Sequence, residues 1–137
     1  MNERWKNYGK NIIPMDNYEV DTVIQNSEGT RIILKGEANT ITIKFGFVDA
    51  LRISDEGRRL RTYNEIGDIQ EYRENFHGNP LYTVEESEFA EWIKLESDGF
   101  YTDMVHYALM TINDVVDILS TFPPEIVIGK SEKEVSL

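Results

Sequence analysis

The stretch TITIKFGFVDALRIS, residues 40–54, is the longest apolar, β-branched and aromatic run in the chain. Apolar and polar residues alternate along it, which is typical of a strand with one buried face. The predicted inner face carries Ile41, Ile43, Phe45 and Phe47. The alternation fails at Val48, soon after Gly46, as expected for a bulge or bend. We therefore interpret residues 40–54 as a bent central strand that organises the rest of the sheet.

Segments on both sides of this run also alternate between apolar and polar residues, and short turn sequences separate them. In residues 30–36, Ile32 and Leu34 are predicted to point inward. In residues 18–25, Val23 is the one apolar residue that breaks the pattern. Further strands are predicted at residues 58–63, 102–112 and 125–128. Because the connections are short, we expect an antiparallel meander.

The clearest helix is predicted at residues 87–96. Ser87 fits the N-cap position, because its hydroxyl oxygen can accept a hydrogen bond from a free backbone N–H group. The residues at helical spacing on one face are Phe89, Trp92, Ile93 and Glu96. Residues 64–79 also show helical spacing, although Gly67 lowers the helix propensity there.

Turn residues and polarity indicate the structure of three other regions. Residues 113–120 are interpreted as the second strand of a hairpin, because Asn113 and Asp114 tolerate the positive φ of a primed turn. The alternative is a short helix capped by Asn113. Residues 1–17 are interpreted as a loosely tied arm or a short helix, and residues 130–137 as a frayed tail.

The fold class that follows is α+β. A chain of 137 residues suits one domain, spanning residues 1–137, with a hydrophobic core of its own. We expect a β-rich antiparallel meander or roll with one main amphipathic helix, residues 87–96, packed on the sheet.

Composition limits the cellular setting and the chemistry. The chain has no cysteine, which excludes disulfides and thiolate chemistry. The first residues lack the apolar core of a signal peptide, and no apolar run approaches the roughly 18 residues of a membrane span. We expect a soluble cytoplasmic protein that does not bind a membrane.

The net charge of −11 is distributed unevenly along the chain. Residues 1–73 hold 11 basic and 12 acidic residues, whereas residues 74–129 hold one basic residue, Lys94, and 11 acidic ones. A negative field of this kind disfavours binding to nucleic acid or anionic membranes and attracts cationic partners. The alternative is that the acids only keep the protein in solution.

Carboxylates clustered around aromatic residues suit docking onto a basic protein surface. In such interfaces charge governs the association rate, and a few aromatic residues govern the lifetime of the complex. The candidate partner-binding residues are Glu85, Glu86, Glu88, Glu91, Glu96, Asp98, Tyr101 and Asp103. The alternative is that Phe89, Trp92 and Ile93 only form the core-facing side of the helix.

Patterns that carry catalysis or metal binding are missing from the sequence. The two histidines, His77 and His106, show no HxxxH or HxH spacing, and no calcium-binding loop occurs. There is no glycine-rich phosphate loop and no Gly-x-Ser-x-Gly pattern. We interpret His106 as a structural residue and expect a non-enzymatic protein without cofactor or metal.

One basic cluster falls within a single predicted hairpin. Its members are Arg52, Arg58, Arg59 and Arg61. A cluster of this kind can contact phosphate groups, but the overall charge is against that reading. We expect these arginines to pair with Asp55, Glu56 or the acidic helix.

Three segments together resemble small uncharacterised proteins of Bacillus and related bacteria. They are DALRISDEGRRLRTY at residues 49–63, EFAEWIKLES at residues 88–97 and VHYALMTINDVVDILSTFPPEI at residues 105–126. Some similar small acidic proteins are immunity partners of polymorphic toxins. The resemblance implies a protein of that type but carries no functional residues, because its shared features are structural.

These observations favour a protein-binding protein, most concretely an immunity-type inhibitor that docks an acidic surface on a basic toxin. One alternative is a small-molecule binding module with a pocket between sheet and helix. Another is an enzyme whose site is assembled from scattered residues such as His77, Glu96 and Asp103. The oligomeric state stays open.

Overall fold

The computed structural model describes residues 1–75 and 77–131, which form nine strands and three short α-helices. The strands are β1 (Arg4–Asn7), β2 (Glu19–Asn26), β3 (Gly29–Lys35), β4 (Asn39–Phe45), β5 (Ala50–Asp55), β6 (Leu81–Glu85), β7 (Val105–Met110), β8 (Asp114–Ser120) and β9 (Glu125–Lys130). The helices are α1 (Leu60–Glu65), α2 (Gln70–Asn75) and α3 (Glu88–Glu96). Two 3₁₀ turns, Glu56–Arg58 and Gly67–Ile69, lie beside α1 and α2. The α+β class and the predominance of antiparallel strands are confirmed.

The strands form two sheets rather than the single meander that we expected. The first sheet has the order β1-β6-β7-β8-β5, and the second has the order β2-β3-β4-β9. All neighbouring strands in both sheets are antiparallel. Strands that follow one another in the chain are neighbours in two runs of three, β2-β3-β4 in the second sheet and β6-β7-β8 in the first, and α3 lies between β6 and β7. The chain changes sheet after β1, β4 and β8.

The first sheet is the middle layer of the molecule. Its β7 and β8 are buried on both faces, which explains why both strands read as nearly continuous apolar runs. One face packs against the second sheet, through residues that include Ile43, Phe45, Tyr107, Leu109 and Ile118. The other face is covered by α1, α2 and α3, through residues that include Tyr63, Ile69, Phe89, Ala108 and Met110. The cover is therefore three short helices and not one.

Residues 40–54 are two strands in different sheets. The inner face of β4 is as predicted, and Ile41, Ile43 and Phe45 are buried. The chain then bends at Gly46 and Phe47, and it enters the first sheet as β5. Phe47, which was expected on the inner face, is exposed because it lies in this crossing. The bend was predicted, but the change of sheet was not.

Two segments have a different structure from the one predicted. Residues 58–63 were expected to be a strand, but the chain turns at Glu56–Arg58, where the Asp55 carboxylate accepts a hydrogen bond from the backbone N–H of Gly57 at 2.8 Å. Helix α1 follows and buries Tyr63 against the first sheet. The predicted loose arm contains β1, whose Trp5 is buried opposite Val84.

The β2 strand contains a shift of register between Val20 and Thr22. The shift places Val23 opposite the buried Ile32, and Val20 and Val23 both pack against the core between the sheets. The irregularity at Val23 in the sequence is therefore a β-bulge, which changes the side of the sheet to which the following residues point.

The hairpin at Asn113 is confirmed, but its turn is not a primed one. Asn113 is not among the residues with positive φ. Its side-chain amide instead binds the bulge of β2, accepting from Val20 N at 2.8 Å and donating to Val20 O at 3.1 Å. Because an asparagine amide reproduces the donor and acceptor of a peptide group, it joins the hairpin of one sheet to the edge of the other.

A buried carboxylate organises the turn between β3 and β4. Asp16 accepts hydrogen bonds from the backbone N–H groups of Asn17, Glu37, Ala38 and Asn39, at 2.8 to 3.0 Å. Burial alone would raise the pKa of Asp16, but these donors and the Asn39 side chain lower it. A Cβ atom on Gly36 would lie 2.3 Å from the carboxylate, so this position needs glycine.

The helices in the described residues are short. The longest, α3, has nine residues, and none combines the length and the apolar character needed to cross a membrane. Of the predicted tail, residues 132–137 lie outside the described part of the chain, as does residue 76 of the predicted helical segment.

Candidate functional site

Helix α3 begins where the chain reverses direction after β6. Glu86 adopts a positive φ of 54°, an uncommon conformation for a residue with a side chain. Ser87 is the N-cap, and its Oγ accepts a hydrogen bond from the backbone N–H of Ala90 at 3.0 Å. The N-cap prediction from the sequence is therefore confirmed.

Ser87 also begins a chain of buried hydrogen bonds that the sequence did not reveal. Its Oγ lies 2.6 Å from Nδ1 of His106, and Nε2 of His106 lies 2.7 Å from Oδ1 of Asp117. Because the ionised carboxylate of Asp117 can only accept, Nε2 carries a proton and donates to it; in the neutral imidazole, Nδ1 then accepts from the hydroxyl of Ser87. His106 and Asp117 are at most 2% exposed.

Two arginines complete this network at its other end. Asp117 Oδ2 accepts from Nη1 of Arg59 at 2.6 Å and from Nε of Arg52 at 2.9 Å. Arg52 also lies over the ring of Phe89, 4.3 Å from its centroid. Burial alone would raise the pKa of Asp117, but the hydrogen bond from His106 and the positive charges of Arg59 and Arg52 hold it well below its ordinary range.

The Ser87, His106 and Asp117 side chains have the composition of a hydrolytic triad but not its geometry. In such triads the serine faces Nε2 of the histidine, and the carboxylate faces Nδ1. Here the two nitrogens are exchanged, Ser87 caps a helix, and two guanidinium groups neutralise the carboxylate. The network joins α3 to β7 and β8, and the contacts of His106 in it are structural ones.

The seven acids among the predicted partner-binding residues divide into two groups. Three of them form ion pairs, Glu85 with Lys6 at 2.7 Å, Glu88 with Arg61 at 3.2 Å and Glu91 with Lys94 at 3.2 Å. Two of these three pairs join an acid of the second half of the chain to a base of the first. Folding therefore neutralises part of the charge asymmetry that the sequence shows.

The other acids stay without an ion pair among the described residues. They are Glu86, Glu96, Asp98 and Asp103, and all four are exposed. Glu96 and Asp98 lie at the C-terminal end of α3, where the helix dipole is negative and favours cations. Each acid at such a position costs up to about 1 kcal/mol of stability. These acids therefore work against the helix that carries them.

Large apolar side chains lie exposed beside these acids. Trp92 is 55% exposed and Phe100 is 84% exposed, with Leu95 and Tyr101 also exposed. The expected core face of the helix is thus correct for Phe89 but wrong for Trp92. We call Trp92, Leu95, Glu96, Asp98, Phe100, Tyr101 and Asp103 the acidic–aromatic surface. Exposed apolar residues gathered in one place often mark an interaction site.

Arginines of the basic cluster form ion pairs with acidic residues, but not with every acid that was expected. Arg52 and Arg59 bind Asp117, and Arg61 binds Glu65 and Glu88. Glu88 belongs to the acidic helix, as predicted. Asp55 and Glu56 form no ion pair with this cluster in the described residues.

The residues suggested for an assembled enzyme site do not come together. Nδ1 of His77 lies 2.7 Å from Oδ1 of Asn17, while Glu96 ends α3 and Asp103 precedes β7. No hydrogen bond or ion pair links the three in the described residues. Within residues 1–75 and 77–131 there is also no group of three or more metal-ligating side chains.

A groove of about 410 Å³ runs between α3 and the start of β7. Its lining includes Glu86, Glu91, Lys94, Met104 and Val105. The small-molecule alternative requires an apolar enclosure, whereas charged and apolar residues together line this groove.

Comparison with known proteins adds no family to this description. The chain matches no family model, no curated protein and no solved structure. The proposals that follow therefore depend on the geometry and charge of the chain itself.

Proposed function

We propose that this chain is a non-enzymatic, cytoplasmic protein-binding protein that docks its acidic–aromatic surface on a basic protein. The single observation that carries the proposal is the gathering of unpaired acids and exposed aromatic side chains at the C-terminal end of α3. Several of these residues do not serve the fold, since Glu96 and Asp98 oppose the helix dipole and the exposed Phe100 and Tyr101 contribute little to the core.

The two kinds of residue have different roles in such a complex. Glu96, Asp98 and Asp103 supply the negative potential that steers a basic partner and raises the association rate. Trp92 and Phe100 supply apolar area that a partner can bury, and residues of this type frequently dominate binding energy. Trp92 and Tyr101 can also accept a guanidinium or ammonium group on their ring faces.

The more specific proposal is an immunity-type inhibitor whose partner is a basic toxin, such as a nuclease. Its support is the resemblance of residues 49–63, 88–97 and 105–126 to small acidic bacterial proteins, together with this surface. A nuclease binds phosphate through a basic face, and an acidic protein of this size can cover such a face by mimicking the charge of its substrate.

The test uses the purified product of the gene adjacent to the one that encodes this chain, and measures affinity by calorimetry. We expect binding that weakens steadily as salt is raised from about 50 to 300 mM, because screening removes the steering field. The double substitution Glu96→Lys/Asp98→Lys is expected to weaken binding by at least about ten-fold. The matched control is Glu19→Lys/Glu28→Lys, which changes charge equally on the second sheet.

The aromatic contribution is tested separately. We expect Phe100→Ala to raise the dissociation rate and to leave the melting temperature unchanged, because this side chain is largely exposed. The control is Met15→Ala, which removes an exposed apolar side chain elsewhere. Equal affinity for both charge variants, or no dependence on salt, would contradict the proposed surface.

A further inference from the structure

The β9 strand is an edge of the second sheet with one side unpaired. Among the described residues it pairs only with β4, and five of its six residues are exposed. Val127 and Ile128 are each 42% exposed, although Ile128 lies opposite the fully buried Ile41. An edge of this kind, without proline or an inward charge in its middle, is able to receive another strand.

The edges at β1 and β2 are protected in ways that the β9 edge is not. In β1, the N–H of Trp5 donates to Asp68 at 3.1 Å. In β2, the N–H and C=O of Val20 are both bound by the side chain of Asn113. Polar side chains thus occupy the backbone groups through which these two strands could extend their sheets.

The hydrogen-bond pattern shows which backbone groups of β9 point away from β4. The N–H of Ser131 donates to the C=O of Ala38 at 3.1 Å, and this pair continues the register of β4 and β9. Directly hydrogen-bonded pairs recur at every second residue of an antiparallel ladder. The peptide groups of Ile126, Ile128 and Lys130 therefore point outward.

Symmetry restricts the registers for pairing with a second copy, and the residues that would face each other favour one of them. Two identical antiparallel strands related by a two-fold axis point equivalent side chains to the same side of the joined sheet only if the axis lies midway between the two copies of one residue. With Val127 on the axis, Ile126 of one copy faces Ile128 of the other, and both present outward peptide groups. With Ile126 on the axis, Ile128 would face Pro124, which has no N–H to donate. With Ile128 on the axis, Ile126 would face Lys130.

We propose that β9 is a homodimerisation strand that pairs with β9 of a second copy about a two-fold axis at Val127. The pairing joins two four-stranded sheets into one continuous sheet and covers Ile128 with an isoleucine of the partner. It matches apolar side chains on both faces. The strand carries one acid and one base, Glu125 and Lys130, so the repulsion expected from a net charge of −11 is absent locally.

The test is a disulfide between identical positions, which is unambiguous because the chain has no cysteine. In the proposed register the two Val127 residues form a pair without direct hydrogen bonds, with Cα atoms about 4.5 Å apart. That distance permits a disulfide. We expect Val127→Cys to form a covalent dimer under mild oxidation. The matched control, Glu125→Cys, is exposed on the same strand but would be about 13 Å from its counterpart.

A second measurement follows association without any covalent bond. We expect sedimentation of the unmodified chain to show a weak, concentration-dependent dimer that strengthens with salt, because screening reduces the repulsion between two acidic molecules. Ile128→Pro removes an outward N–H and is expected to abolish it, with the monomer fold checked by circular dichroism. A monomer at all concentrations, or equal crosslinking of both cysteine variants, would overturn the proposal.

Salt dependence also separates this inference from the proposed function. Salt weakens docking on a basic partner but strengthens pairing between two copies of an acidic chain. Either result can therefore fail while the other holds.

Discussion

Nε2 of His106 lies 2.7 Å from Oδ1 of Asp117, on the helix-facing side of the first sheet. The two residues come from β7 and β8, and the same histidine contacts Ser87 at the start of α3. A single buried imidazole thus joins two strands and a helix. Buried polar networks of this kind stabilise a fold only when every member has a partner, and among the described residues no buried polar side-chain atom of this network lacks one.

We predict that Asp117→Asn lowers the free energy of unfolding by about 3–5 kcal/mol, because it leaves the largely buried Arg59 without its counter-charge. Chemical denaturation measures the change. The control is Glu91→Gln, which breaks the exposed pair with Lys94 and is expected to cost less than about 1 kcal/mol. Equal losses of unfolding free energy in the two variants would show that the buried ion pair stabilises the fold no more than the exposed one.

The N-cap of α3 gives a second prediction. Ser87→Ala is expected to cost about 0.5–2 kcal/mol through the lost cap, and a further 1–3 kcal/mol, roughly, because Nδ1 of His106 loses its donor. Ser97→Ala, at the other end of the helix, removes only a hydroxyl that donates to Lys94 O. Its cost is expected to stay within about 0.5 kcal/mol. Thermal unfolding of both variants distinguishes the two positions.

Packing around Asp16 gives a third prediction. Gly36→Ala would place a methyl group against the Asp16 carboxylate and is expected to cost about 1–3 kcal/mol. Gly67→Ala adds the same methyl group where no atom lies within 4 Å, and it is expected to be neutral or stabilising. If both variants melt at the same temperature, the contact at Gly36 does not restrict the turn.

Acid pH tests both buried carboxylates. The folded-state pKa values of Asp16 and Asp117 are lowered relative to that of an aspartate in an unfolded chain, which is about 3.9. Each group therefore contributes stability above that value and loses it as the pH falls toward its folded pKa. We expect the stability difference between the unmodified chain and Asp16→Asn to be constant near neutral pH and to shrink below about pH 4. A stability difference that grows as the pH falls would contradict a lowered folded-state pKa of Asp16.

The local features of the fold were accessible from the sequence. The inner faces of β3 and β4, the N-cap at Ser87 and the hairpin at Asn113 follow from periodicity and capping rules that act over a few residues. The bend at Gly46 was predicted for the same reason. The α1 helix was missed because residues 58–63 appear to alternate as in a strand. The turn before them, capped by Asp55, gave no stronger indication that a helix follows.

The buried network had a weak signal in the sequence. His106 and Asp117 stand within runs that are otherwise apolar, and a charged residue is rarely buried without a partner. That pattern indicates a pair but does not identify it, because the pairing of β7 with β8 decides which side chains meet. The arginines come from β5 and from the residue before α1, which no spacing rule connects to Asp117.

The sequence alone determined where strands β2 to β5, strands β7 to β9 and helix α3 form, since period-two and helical spacing arise from the direction in which neighbouring side chains point. Only the tertiary structure decided that residues 40–54 divide between two sheets, that β7 and β8 are buried on both faces, and that Lys6 lies beside Glu85. These results depend on contacts between residues far apart in the chain, whose free energy is set by the packing of whole layers and not by any local pattern.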